Sequence, residues 1–327
     1  MLILRPKESA VTNYRYKPLL RLGAKFRKSL LRKNDKLTIA ELAERFKKID
    51  DVWVVKYLEH AHTADVLFSM RNAVKSRVIM DIDDSIWANP NCPKEDVKRY
   101  FDRAVVGLEM VKASDKVTVS TEPLKEQLKD YNDDITVLPN LIDPKDWKFK
   151  RKKHDKIKIG WIYSPTHARD VAVIREALRE VWEHYQDKIE IVIFGTTIDI
   201  LDIPFIKEES VRYDQYPKKL TELSLDISIA PLENNEWNKC KSNIKWLEST
   251  MAGAAFIGSA VYPYYTSIRN RKTGFIAKNK QDWVRYLSLL IENEELRQKI
   301  VENAKKDVLE HYHIEKDQRF RLFYENL

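Results

Sequence analysis

The 327-residue sequence predicts an α/β fold of two Rossmann-like, doubly wound domains that face each other across a cleft. Short apolar runs alternate with amphipathic, helix-like segments along most of the chain, which is the pattern of a parallel sheet covered by helices. The alternation stops between residues 139 and 155, where two prolines and a basic run occur, and then starts again. We therefore expect one domain at 1–150, a second at 151–312, and a C-terminal helix at 313–327 that returns to the first domain.

Apolar runs and helical spacing locate the elements of the first domain. Strands are predicted at Leu2–Leu4, Val52–Lys56, Arg77–Asp81, Lys116–Ser120 and Ile135–Leu138, and helices at Ile39–Lys48, His60–Lys75, Val97–Val111 and Thr121–Asp130. Between Tyr14 and Lys36, apolar residues at helical spacing predict one more amphipathic helix, with Leu19, Leu22, Phe26 and Leu30 on one side. Its opposite side would be cationic, through Arg21, Lys25, Lys28 and Arg32.

The second domain repeats the alternation. Strands are predicted at Ile157–Ile162, Ile189–Phe194, Leu225–Ala230 and Ala254–Gly258. Helices are predicted at Val171–Tyr185, Leu220–Leu223, residues 242–253, Gln281–Glu292, Glu294–Glu310, and from about Glu315 to the end. Because ligands bind beyond the carboxyl ends of strands in such sheets, the loops after the strands are the first place to look for a site.

The segment CKSNIKWLESTMAG, residues 240–253, carries the strongest functional signal. It predicts a helix capped by the Ser242 hydroxyl, with cationic Lys241 and Lys245 near its start. A helix start with ammonium groups suits a diphosphate, and Glu248, one turn further on, is placed to accept the hydroxyls of a ribose. The alternative is a Lys–Glu pair on a solvated helix face.

Composition limits the other function classes. The formal net charge of +8 favours a polyanionic partner or surface. No apolar run reaches the ~20 residues that span a bilayer, and the first ten residues are too short an apolar segment for a secretory signal. The two cysteines, Cys92 and Cys240, fit no metal spacing, so we expect thiols in a reducing cytoplasm. The sequence lacks GxGxxG and Walker A patterns, which disfavours dinucleotide and P-loop sites.

A series of motifs in fixed order resembles the retaining nucleotide-sugar glycosyltransferases of the GT-B fold, the group of glycogen-synthase-like and lipopolysaccharide enzymes. The motifs are MDIDDSIW (80–87), VTVSTEPLKEQL (117–128), VLPNLIDPKDW (137–147), IGWIYSPTHARD (159–170), APLENN (230–235), SNIKWLESTMAG (242–253) and TGFIAKN (273–279). The resemblance implies an acceptor-side N-terminal domain and a donor-binding C-terminal domain. The first seventy residues match weakly, so the acceptor domain looks abbreviated, as in a phage-type member.

The resemblance assigns roles to individual residues of the second domain. Glu248 would hold the donor ribose, with Lys241, Ser242 and Asn243 at the helix start beside the donor. A second glutamate, eight positions earlier in the family, is Cys240 here. The Arg and Lys that many members carry after the first strand of this domain are also missing, so Lys245, Ser164 and His167 would take over contacts to the diphosphate or sugar. Arg169, in the same loop, would contact the diphosphate or, as an equal alternative, face solvent at a helix start. His167 could instead be a loop residue without a binding role.

Three residues of the first domain are candidates as well. Asp83 follows a strand at the place where relatives carry a residue beside the reacting sugar. The alternative is helix capping or a structural hydrogen bond, and Asp84 could play either part. Tyr14 and Arg15, in a loop after the first strand, would lie on the acceptor side, or else pack. Asp81 and Asp83 also form a DxD pattern, which binds a metal–diphosphate in the other major glycosyltransferase fold. We expect no metal, because a GT-B enzyme neutralises the leaving group with cations and a helix terminus.

The sequence thus predicts an enzyme that transfers a sugar, with retention, from a nucleotide-sugar co-substrate to a hydroxyl acceptor. Asp83 and Lys245 are its candidate catalytic residues, and no other cofactor is expected. The basic N-terminal segment indicates a polyanionic acceptor, either modified DNA or a lipid-linked or cell-surface glycan at an anionic membrane. The alternative is that its apolar stripe packs on the sheet and its cations are only solvated, in which case the acceptor would be a soluble glycan or a small molecule. The protein would be cytoplasmic, or peripheral at the inner membrane surface. The rival hypothesis is a catalytically degenerate GT-B protein that binds a glycan or a nucleic acid.

Overall fold

The computed structural model describes residues 2–4, 10–26, 51–55, 77–87, 89–90, 94, 97–164, 167–195 and 200–327. The predicted helices Ile39–Lys48 and His60–Lys75, and Cys92, lie outside these residues. The chain divides into two compact units. Unit 1 contains Met1–Leu141, Cys240–Ser242 and Asp317–Leu327, and unit 2 contains Ile142–Lys239 and Asn243–Lys316.

The described strands and helices alternate along the chain. The strands are β1 (Leu2–Leu4), β2 (Lys25–Phe26), β3 (Asp51–Val55), β4 (Arg77–Ile82), β5 (Lys116–Val119), β6 (Ile135–Val137), β7 (Ile157–Tyr163), β8 (Ile189–Gly195), β9 (Ile206–Glu209), β10 (Ile227–Ala230), β11 (Ala255–Ser259) and β12 (Phe275–Ala277). The α-helices are α1 (Ala10–Arg21), α2 (Val97–Ala113), α3 (Glu122–Leu128), α4 (Val171–Tyr185), α5 (Tyr216–Leu223), α6 (Glu236–Lys239), α7 (Ile244–Ala252), α8 (Tyr262–Tyr265), α9 (Lys280–Glu292), α10 (Glu294–His311) and α11 (Arg319–Glu325).

Each unit contains one parallel sheet. In unit 1 the described strands run in the order β2-β1-β3-β4-β5-β6, and in unit 2 in the order β12-β11-β10-β7-β8-β9. Every neighbouring pair of these strands is parallel. Parallel strands need covering helices on both faces, and the helical segments between the strands supply them. The predicted α/β class with two Rossmann-like sheets is confirmed.

The predicted helix from Tyr14 to Lys36 is wrong. Helix α1 ends at Arg21, and Gly23 follows with φ of 100°, a left-handed conformation that glycine adopts without steric cost. The chain then enters β2, which contains Lys25 and pairs with β1. The predicted cationic stripe is therefore not one helix face, and Lys28 and Arg32 lie outside the described residues.

The position predicted for Tyr14 and Arg15 is also wrong. Both lie within α1 and not in a loop, and their side chains are buried. The Arg15 guanidinium donates to both carboxylate oxygens of Asp81, and its Nη1 donates to the Leu138 carbonyl. Asp81 also accepts a hydrogen bond of 2.6 Å from Thr118 Oγ1. Arg15 thus links α1 to the central strands of its own unit.

The C-terminal helix of unit 1 is α11. It starts at Arg319, four residues later than predicted, where the Asp317 carboxylate accepts from the Arg319 N–H at 2.9 Å. It packs against α1, and Phe320 and Phe323 supply its buried side chains. None of the helices in the described ranges is long and apolar enough to cross a membrane.

Unit 2 has a continuous apolar core between its sheet and helices α4 and α9. Helix α4 contributes Ile174, Leu178 and Val181, all buried, at helical spacing. Trp161 and Trp246 are both buried in unit 2. Trp246 also donates from Nε1 to the Thr273 carbonyl at 3.0 Å. This core holds the carboxyl ends of β7 and β10 in place.

Residues 142–155, where the predicted alternation of strands and helices stops, belong to unit 2. They contain a short 3-10 helix at Pro144–Trp147, in which Trp147 is buried. Further on, the Arg151 guanidinium donates to the carbonyls of Ser224, Leu225, Ala252 and Gly253. These carbonyls include the ends of α5 and α7, where helical carbonyls lack an intrahelical partner. Arg151 therefore caps the two helices that carry the candidate site described next.

Candidate functional site

The N-cap of helix α7 lies one residue later than predicted. Asn243 occupies the N-cap position, and no side chain caps the helix there. The Asn243 side chain donates to Ser267 Oγ at 2.9 Å instead. The Ser242 hydroxyl accepts from Asn140 Nδ2 at 2.8 Å, and its segment belongs to unit 1. The predicted Ser242 cap is therefore wrong, because its hydroxyl is used within unit 1.

Glu248 is the buried acid of α7, with 3% of its surface exposed. Its Oε2 accepts a hydrogen bond of 2.8 Å from the Tyr216 hydroxyl. Lys245, on the same helix, places Nζ 3.7 Å from the same oxygen. The alternative of a solvated Lys–Glu pair does not fit, since a carboxylate is seldom buried without a structural or binding reason.

Tyr216, at the start of α5, has no counterpart in the sequence-based site. Burial and the neighbouring Glu248 carboxylate raise the pKa of Tyr216 well above its ordinary value of 10. The phenol therefore stays protonated near neutral pH and donates to Glu248. Its ring lies between those of Phe194 and Tyr213, stacked at centroid distances of 5.5 and 6.2 Å. The stack fixes the hydroxyl that orients Glu248.

Asp170, also absent from the sequence-based site, joins two loops at the carboxyl ends of β7 and β10. Its carboxylate is completely buried. Oδ1 accepts from the Glu233 N–H at 2.7 Å and from Asn238 Nδ2 at 2.9 Å. Oδ2 lies 2.8 Å from His167 Nδ1. This contact orients the His167 ring, leaving Nε2 as its other polar atom.

The buried carboxylates of Asp170 and Glu248 lie near the same tyrosine, Tyr264, in unit 2. Burial, then the Asp170 carboxylate, then the Glu248 carboxylate raise the pKa of Tyr264. Both carboxylates thus act on the same buried phenol. The structure brings Glu248 and Lys245 together on α7, and it places the His167–Asp170 pair on the loop after β7. Ser164, at the end of β7, is half-buried in this loop.

Arg169 has the solvent-facing position that was the alternative. Its side chain is 55% exposed and pairs with Glu233, with Nε 3.4 Å from Oε2. The pair connects the loop after β7 to the loop after β10, the two loops that Asp170 also joins. An exposed pair of this kind contributes about 0–1 kcal/mol, so Arg169 has little structural weight.

The remaining predicted residues belong to unit 1. Asp83 follows β4 directly and is buried, and its carbonyl accepts from Ser120 Oγ at 2.8 Å. Lys241 lies in the Cys240–Ser242 segment, where Cys240 is buried and its carbonyl accepts from Thr121 Oγ1 at 3.0 Å. The roles of Asp83 and Lys241 remain predictions.

Comparison with known proteins agrees with this geometry. Residues 243–307 match the family "Glycosyl transferases group 1", and the match begins at the start of α7. It supports the predicted nucleotide-sugar-dependent glycosyltransferase activity. No curated protein sequence matches the chain.

Several solved structures share the fold. Sucrose-phosphate synthase from Thermosynechococcus elongatus has a TM-score of 0.69 at 10% identity, over 100% of this chain and 99% of its own. A glycosyltransferase from Rickettsia africae has a TM-score of 0.66 at 15% identity, and the match covers 99% of this chain and 97% of that protein's chain. Anabaena Alr3699/HepE, in complex with UDP and glucose, has a TM-score of 0.65 at 10% identity, over 100% of both chains. The GT-B fold predicted from the sequence is confirmed.

Proposed function

We propose that this protein transfers a sugar, with retention, from a nucleotide-sugar donor to a hydroxyl acceptor. The observation that carries the proposal is the buried Glu248, which accepts a hydrogen bond from Tyr216. Glu248 lies on α7, the helix at which the match to the glycosyltransferase group 1 family begins. Structural neighbours add support, since Anabaena Alr3699/HepE was solved with UDP-glucose. Retention and a phage-type relationship rest on the motif resemblance alone.

Glu248 and Lys245 of α7 have distinct tasks in this proposal. The Glu248 carboxylate accepts hydrogen bonds from the ribose hydroxyls, and Tyr216 holds the carboxylate in place. Lys245 and the amides at the start of α7 face the diphosphate, where negative charge grows as the glycosidic bond breaks. Ser164 and His167 contribute from the loop after β7. Hydrogen-bond donors that already point at a developing charge lower the activation barrier, because they do not have to reorganise during the reaction.

The DxD alternative does not fit the residues present. Both oxygens of Asp81 accept from Arg15, and Oδ1 also accepts from Thr118, all in the core of unit 1. A carboxylate that binds an arginine in this way is a poor metal ligand. Across the described residues, no group of three or more His, Cys, Asp or Glu side chains is arranged to hold a metal ion. We propose that Asp83 acts at the reacting sugar, and that Lys245 and the start of α7, helped by Lys241 and the loop after β7, neutralise the leaving group.

The acceptor in our proposal is polyanionic, either modified DNA or a lipid-linked glycan at an anionic membrane. Support comes from the net charge of +8 and the many basic residues before position 36. It no longer comes from a continuous cationic helix, which the structure replaces with α1 and β2. Binding to duplex DNA and to anionic vesicles, measured side by side against salt, separates the two acceptors.

Release of nucleoside diphosphate from a panel of nucleotide sugars tests the proposal. We expect slow hydrolysis of at least one donor without acceptor, together with a raised melting temperature in its presence. The degenerate binding module, favoured by Cys240 at the position of the missing glutamate, predicts binding without release. A chain that neither binds nor cleaves any donor of a broad panel would contradict both functions.

Tyr216→Phe is expected to raise the donor KM about three- to tenfold with little change in kcat. The substitution keeps the ring stack but removes the hydrogen bond that orients Glu248. A three- to tenfold change corresponds to about 0.6–1.4 kcal/mol of donor binding, less than the bond itself, because the Glu248 carboxylate stays in place. Steady-state kinetics with varied donor measures the split. Tyr213→Phe is the matched control, since it changes the neighbouring stacked ring and leaves the Tyr216 hydroxyl in place. Equal effects of the two variants, or a loss confined to kcat, would contradict the positioning role.

A further inference from the structure

A second concave surface of unit 2 lies between the segment before β12 and one side of α10. Its volume is about 440 Å³. Four basic residues line it, which we call the cationic pocket: Arg269, Arg271, Lys272 and Lys299. Leu296 and Ile300 give it an apolar wall. It shares no lining residue with the α7 site, so it requires a separate explanation.

The positive charge of the cationic pocket is poorly compensated. Arg269 donates from Nη2 to Asp307 Oδ1 at 2.7 Å, and His311 Nε2 lies 3.8 Å from the same oxygen. No carboxylate of the described residues forms an ion pair with Arg271, Lys272 or Lys299. A concave surface lined by charges of one sign concentrates their field, so this pocket attracts anions more strongly than separate lysines on a convex surface.

The loop that presents the arginines has a fixed conformation. Arg271 has φ of 64°, a left-handed conformation that few residues other than glycine adopt. Two hydrogen bonds hold it: the Arg271 N–H donates to the Gly274 carbonyl at 2.7 Å, and the Arg269 N–H donates to Thr273 Oγ1 at 3.0 Å. Such a conformation persists only where surrounding contacts impose it.

We propose that the cationic pocket binds a small ligand that carries phosphate groups. Two arginines supply planar pairs of donors that match phosphate oxygens, and two lysines add point charges. The volume lies in the range of small-molecule sites, and the apolar wall suits the organic part of a sugar phosphate or a similar compound. The concave shape excludes the flat surface of a vesicle. This site is independent of the function proposed for α7.

Calorimetric titration of the full chain with pyrophosphate tests the pocket. Arg271→Gly removes a cation and places glycine where the backbone is left-handed, so the fold is preserved. Lys299→Glu reverses a second charge. Each variant is expected to weaken pyrophosphate binding about tenfold or more, since charge-assisted hydrogen bonds are lost. The isotherms also separate the pocket from the α7 site, because binding at α7 alone would be unchanged in both variants.

Lys305→Glu is the matched control. Lys305 is exposed on the same helix and does not line the pocket, so the variant makes the same charge change elsewhere. Wild-type affinity in the control, with weakened binding in the two pocket variants, supports the proposal. Three outcomes would overturn it: no pyrophosphate binding by the wild type at millimolar concentration, unchanged binding in both pocket variants, or an equal loss in Lys305→Glu.

Discussion

Glu248→Gln is expected to lower kcat/KM for the donor by about tenfold to several hundredfold. A hydrogen bond from a neutral hydroxyl to a carboxylate is worth about 1.5–3 kcal/mol, and a ribose offers two such hydroxyls. Glutamine keeps the shape of the side chain and removes its charge. The loss therefore reports on recognition and not on a cavity. Glu248→Ala removes both and is expected to have an effect at least as large.

Kinetics must be measured on folded protein. The nucleotide sugar chosen from the hydrolysis panel serves as substrate, and circular dichroism with thermal melting establishes the fold of each variant. Glu292→Gln is the matched control, because Glu292 accepts a hydrogen bond from Tyr185 in another Tyr–Glu pair of unit 2. A folded Glu248→Gln protein whose kcat/KM stays within twofold of wild type would remove Glu248 from the donor site.

Local pattern was sufficient to predict most of unit 2. The strand at β7 and the helix at α4 were predicted within one residue, because their apolar side chains recur at the period of the element. Glu248 could be proposed for the same reason, since it lies one turn beyond Lys245 on a short helix. Spacing along one helix is information that a sequence carries directly.

Contacts between distant segments were not predictable in this way. Tyr216 reaches Glu248 across 32 positions, and Asp170 reaches Glu233 and Asn238 across 63 and 68. No periodic pattern connects such residues, because their proximity depends on strand order and on the packing of the loops. The prediction of one helix between Tyr14 and Lys36 was wrong for a different reason. The apolar spacing is helical, but Gly23 lets the backbone turn, and the residues after it pair with β1 as β2.

The pairing of Arg15 with Asp81, across 66 positions, has the largest expected effect on stability. Both side chains of the pair are completely buried. Arg15→Met is expected to lower the free energy of unfolding of unit 1 by about 3–5 kcal/mol, because it leaves the Asp81 charge buried with Thr118 as its remaining described partner. Methionine fills much of the volume, so the loss reflects the uncompensated charge.

Hydrogen exchange of the β4 and β5 amides, followed in increasing urea, measures this loss within unit 1. Arg21→Met is the control, since Arg21 is exposed at the end of the same helix and its replacement changes net charge equally. The double variant Arg15→Met, Asp81→Leu removes both charges and is expected to recover much of the stability, because a buried ion pair replaced by apolar side chains is often neutral. A single Arg15→Met variant within about 1 kcal/mol of wild type would show that Asp81 is stabilised without the arginine, and Arg15 would then need another role.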